Sequence, residues 1–75
     1  MNRLPVVTAR EVLAALHRAG FVNIASEGGH RQLRCQDGGH RVTVPVHGHQ
    51  DVPPGTLRNI LRQAGVTPEE FAKLL

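Results

Sequence analysis

Five histidines and nine Lys+Arg in a chain of 75 residues are the side chains able to move protons or hold phosphate. His30 follows Gly28-Gly29 and precedes Arg31. Arg34 lies further along the same segment, and Arg41 and His47 fall in the next. Attack of a 2′-hydroxyl on its own phosphate needs a base to take one proton and an acid to deliver another, each worth about 10²–10⁴ in rate. Imidazole does both near neutral pH. Nearby guanidinium groups and backbone N–H groups would stabilise the charge that builds on the phosphate oxygens. The expected constellation is therefore His30 as base or acid, His47 as the second proton-transfer group, and Arg31, Arg34 and Arg41 on phosphate.

A metal site is the competing reading of the same atoms. His47-Gly-His49 and Cys35 offer ligands, but no Cys-x-x-Cys or His-Glu-x-x-His spacing exists. Cys35 also falls on the apolar side of its segment, so neither metal nor cofactor is expected. His17 and His40 read as solvated positions.

The elements that must position these groups are legible in the periodicity. Thr8-Ala-Arg-Glu11 forms a capping box, and Val12, Leu13, Leu16 and Ala19 recur at helical spacing until Gly20, predicting a helix over 8–19. The period then changes to two, predicting strands over 21–27, 30–36 and 40–46, joined by turns at Gly28-Gly29 and Asp37-Gly38-Gly39. Closing the first turn on its glycines sets Glu27 opposite His30, hence Ile24 opposite Leu33 and Val22 opposite Cys35. His30, Gln32, Arg34, Arg41 and Thr43 are then left on a basic, polar face. Pro45 marks the third strand as an edge or its end. Residues 47–55 read as a loop. A second helix with Leu57, Ile60, Leu61 and Ala64 runs to Gly65, and Thr67-Pro-Glu-Glu70 caps a short third carrying Phe71. The free amides near Gly55-Thr56, with Arg58 and Arg62 four residues apart, offer a further phosphate contact. The expected fold is α+β: a three-stranded antiparallel sheet with helices on one face, in one domain spanning 1–75.

Composition narrows the function. A single Cys excludes an internal disulfide and favours a reducing, cytosolic setting. No apolar run approaches the ~20 residues of a membrane span, and the N-terminus does not read as a signal peptide. With two Phe and neither Trp nor Tyr, the chain cannot read single-stranded bases by aromatic stacking. The net charge of +3 is uneven: residues 30–49 hold three Arg against Asp37, and four of the five His.

Gly28-Gly29-His30, Arg41-Val-Thr-Val-Pro45, His47 and above all Pro54-Gly-Thr-Leu-Arg-Asn-Ile-Leu-Arg-Gln-Ala-Gly65 resemble the HicA family of small toxins from bacterial and archaeal toxin–antitoxin pairs. The resemblance runs from Thr8 to Leu75. It implies a double-stranded-RNA-binding-domain-like α-β-β-β-α fold and metal-independent mRNA cleavage that arrests translation. It also implies neutralisation by a HicB antitoxin that covers the catalytic His, which falls on His30. The family often reads Gly-Ser-His-His here, so Gly29 replaces the Ser and Arg31 the second His. The basic face would equally serve a non-catalytic RNA-binding module, or an inactive toxin that only binds its antitoxin.

Overall fold

The computed structural model describes residues 4–46 and 50–75. Six elements follow in the order α1 (Ala9–Arg18), β1 (Phe21–Glu27), β2 (His30–Cys35), β3 (Arg41–Pro45), α2 (Pro54–Ala64) and α3 (Pro68–Leu74). Capping chemistry sets the helix boundaries. The Glu11 N–H donates to Thr8 Oγ1 at 3.3 Å while the Thr8 N–H donates to Glu11 Oε1 at 2.9 Å. Thr67 and Glu70 repeat the arrangement before α3. The two ends of the 8–19 prediction, Thr8 and Ala19, are thus the caps of α1. The expected loop over 47–55 ends earlier than expected, because Pro54 already lies in α2. Proline is pre-set for a first helical position, where no N–H is needed.

The sheet is an antiparallel meander in the order β1-β2-β3, with both N-terminal and C-terminal helices on one side of it. Between β2 and β3, Leu33 pairs with Val42 and Arg31 with Val44, the register that closes on Asp37-Gly38. Directly opposed residues share a face, so Leu33, Val42 and Val44 meet the helices. They pack there with Val12, Leu16, Phe21, Leu57, Ile60, Leu61 and Phe71 in one core.

The first hairpin departs from the expected register. Glu27 does pair with His30, but a bulge at Ile24 sets Asn23 opposite Leu33 and Phe21 opposite Cys35, not Ile24 opposite Leu33 and Val22 opposite Cys35. The extra residue exchanges the faces of everything before it. Phe21 is only 3% exposed, while Val22 and Ile24 are 40% and 44% exposed. The bulge thus gives the core position to the Phe21 ring and leaves Val22 and Ile24 partly exposed.

A candidate nucleic-acid interface at the hairpin end of the sheet

The face of the sheet opposite the helices carries Val22, Ala25 and Glu27 from β1, His30, Gln32 and Arg34 from β2, and Arg41, Thr43 and Pro45 from β3. No described helix packs on it. His30 is exposed at the start of β2, flanked by Glu27 on one side and Pro45 on the other. Glu27 is the one acid among these nine residues, and it stands directly across the hairpin from the imidazole. The turn residues make this pairing legible in the sequence, but a carboxylate beside a turn carries no chemical signal on its own.

Several backbone ends converge around His30. The Val46 N–H donates to the Gly29 carbonyl at 2.6 Å, and the Val52 N–H donates to the Val7 carbonyl at 2.8 Å just ahead of α1. A bridge between Thr8 and Asp51 joins the same strands of loop. The N-termini of α1 and α2 therefore lie at the Gly28-Gly29 end of the sheet, α1 closed by its capping box and α2 with no side-chain cap on its amides. Gly28 and Gly29 hold φ of +53° and +83°, a conformation that side chains rarely adopt. A β-carbon on Gly28 would meet nothing within 4 Å, so this turn is bare backbone open to solvent.

The cations expected to act together separate into three places. Arg34 and Arg41 face each other across β2 and β3 on the open face. His30 and Arg34 are four positions apart along β2, about 13 Å, so the Arg34 and Arg41 pair stands away from the imidazole. Arg31 points to the helix side, as its pairing with Val44 requires. There it lines a groove of about 500 Å³ with Thr8, Arg10, Leu13, Ala14, His17 and Val46. Thr56 lines a smaller pocket of about 100 Å³ that also holds Pro45, Asp51 and Pro53. The N-cap of α2 is Pro53, with no side chain on the free amides, while Asp51 brings a negative charge to the same pocket. Arg58 and Arg62 lie exposed along α2. His47 and His49 fall outside the described residues.

The opposite end of the sheet has a different character. The Gly39 N–H donates to Asp37 Oδ1 at 2.8 Å, and this bond, a hydrogen bond with Cys35 and the field of His40 hold the Asp37 carboxyl below its ordinary range. Cys35 is partly buried against the core and His40 sits beside the C-cap of α2. Among the described residues no three of His, Cys, Asp and Glu stand close enough to hold a metal ion.

The family described as the HicA toxin of bacterial toxin–antitoxin systems matches residues 9–66, which is more than half the chain. The chain belongs to the HicA toxin family. The matched segment runs from the first residue of α1 to just past the C-cap of α2, so it contains the whole sheet and the His30 end. A HicA toxin implies an antitoxin partner. No curated protein matches the chain. No described helix is long and apolar enough to cross a membrane.

Proposed function

We propose that this HicA toxin is a metal-independent endoribonuclease that cleaves mRNA and arrests translation, with His30 as the proton-transfer group at the scissile phosphate. The observation that supports it most is the placement of His30. The imidazole is exposed on the uncovered face, beside a bare glycine turn, at the end of the sheet where the N-terminus of α2 has no side-chain cap. Transphosphorylation needs a second group. His47, one residue past Val46 at the end of β3, would supply a second imidazole. Glu27, paired with His30, would supply a carboxylate on the same face. Arg34 and Arg41 engage the RNA backbone along the sheet, Arg31 takes it on the helix side, and the amide of Thr56 with Arg58 and Arg62 extends the positive field along α2. A HicB antitoxin neutralises the toxin in the cytoplasm by covering His30.

Expression of the chain without its antitoxin should stop growth, and purified protein should cut RNA in the presence of a chelator. The full chain carrying His30→Ala should fold, bind RNA and neither cut it nor stop growth. Undiminished cleavage by that folded variant overturns the assignment of His30. RNA binding without cleavage by the wild-type chain favours the non-catalytic RNA-binding reading, and an absence of both favours a toxin that only meets its partner.

A further inference from the structure

The groove on the helix side is built from residues to which the reading of the sequence gave no shared role. Among the described residues, its titratable lining groups are Arg10 and His17 from α1 and Arg31 from β2, and no acid lines it. The nearest acid in sequence, Glu11, is held in the capping box by the Thr8 N–H. Leu13, Ala14 and Val46 complete the lining with apolar surface. His17 Nε2 lies 3.4 Å from Asn23 Oδ1, which ties the ring to β1 across from its own helix. Asn23 itself faces the helices only because of the bulge at Ile24. The exposed imidazole is thus also tethered by the fold.

The groove and His30 are neighbours in sequence but on opposite sides of the sheet. Arg31 adjoins His30, and β2 is the central strand, so the short way between them passes over the end of the sheet at Gly28-Gly29. A side chain there would block that route, and neither position has one. The groove has the charge and the connection to suit the flank of an RNA strand whose scissile bond sits at His30.

We propose that the cleft formed by Arg10, His17 and Arg31 is a second RNA-backbone site, which holds the nucleotides flanking the cut after the strand bends over the Gly28-Gly29 turn. The proposal rests on the RNA-cleaving reading of His30 for its ligand class, but not on cleavage itself. RNA is favoured over an acidic protein segment because Arg31 of the cleft directly follows His30 in β2, with only the side-chain-free Gly28-Gly29 turn ahead of them. The cleft secures a longer substrate without contributing to proton transfer.

The test is direct binding by the full chain carrying His30→Ala, measured by fluorescence anisotropy with labelled single-stranded RNA over a series of salt concentrations. A trinucleotide, too short to leave the open face, is compared with a longer oligoribonucleotide. Adding Arg10→Gln should lower the salt slope for the longer RNA by about 0.7, the share of one single-strand phosphate contact. Adding His17→Gln as well should bring the total loss of affinity to roughly ten-fold and leave the trinucleotide unchanged. Unchanged affinity and slope for the longer RNA in a folded double variant overturns the proposal, as does an equal loss for both RNAs. Loss of antitoxin binding with RNA binding intact also overturns it, and assigns the cleft to the protein partner. If the wild-type chain fails to cut RNA while the binding pattern is as stated, the nuclease reading falls and the cleft stands.

Discussion

Glu27 and His30 face each other across the first hairpin, one residue before and one after the two-glycine turn, on the side of the sheet that no described helix covers. Direct cross-strand partners have β-carbons about 5 Å apart, within reach of one bridging phosphate or water. Glu27→Gln keeps the size and removes the titrating group. With Glu27 as the second proton-transfer group, the variant should lose about 10²-fold or more in cleavage rate while still binding RNA. An unchanged cleavage rate gives the role to His47, and His47→Ala should then show the loss.

Arg34 and Arg41 are opposed cations on neighbouring strands, an arrangement that costs a sheet about 0.2–1 kcal/mol. They are separated from His30 by most of the length of β2. Arg41→Thr should raise the melting temperature by a few degrees and at the same time weaken RNA binding and its salt dependence. Thermal melts and binding titrations on one preparation check both halves. A melting temperature that falls would show that the pair is not in repulsion.

At the other end of the sheet, the ring of His40 lies against Gly65, the left-handed C-cap of α2 at φ +70°. A β-carbon on Gly65 would sit 2.7 Å from His40 Nε2. Gly65→Ala should therefore destabilise by about 1–2 kcal/mol through backbone strain, with more from the contact. Adding His40→Ala should recover the contact part and leave the strain. Denaturant melts of the two variants separate these contributions.

Asp37 and Glu70 both titrate below their ordinary values of 3.8 and 4.5, Asp37 first through the Gly39 N–H and Glu70 first through the Thr67 N–H. A depressed carboxyl pKa in the folded chain means that the unfolded chain binds more protons across that range. Stability is then complete above the ordinary values and lost as pH falls through the folded ones. Glu70→Gln and Asp37→Asn keep acceptors in place but remove the titration. Each should be less stable than wild type at neutral pH, and the gap should close as pH falls below about 4. A gap that is constant with pH would refute the linkage.

Period and capping made most of the architecture readable in advance. Thr8 with Glu11 and Thr67 with Glu70 announce two helices, Gly65 ends a third, and the alternating valines at 42 and 44 point one face of β3 inward. The bulge at Ile24 is not readable, because Phe21-Val-Asn-Ile alternates acceptably in either phase and nothing in that run marks the extra residue. The separation of Arg31 from Arg34 and Arg41 follows from strand parity, yet their closeness in sequence suggests a single cluster. His17 reads as a surface residue and is exposed, but its contact with Asn23 appears only once α1 is laid beside β1. The family match ends at residue 66, but Phe71 is fully buried and Arg18 Nη1 donates to the Leu74 carbonyl at 2.5 Å, so α3 belongs to the same core.

The Thr43 N–H turns away from β2 and donates to Gln63 Oε1 at 3.1 Å, a bond across 20 residues of chain. The outer edge of β3 is thereby occupied by a helix that is synthesised later. A nascent chain halted before α2 exposes that edge as a template for another strand, and one in which α2 has docked does not. Docking of α2, before α3 has been made, is thus the point in synthesis at which the sheet stops being able to recruit further copies of itself.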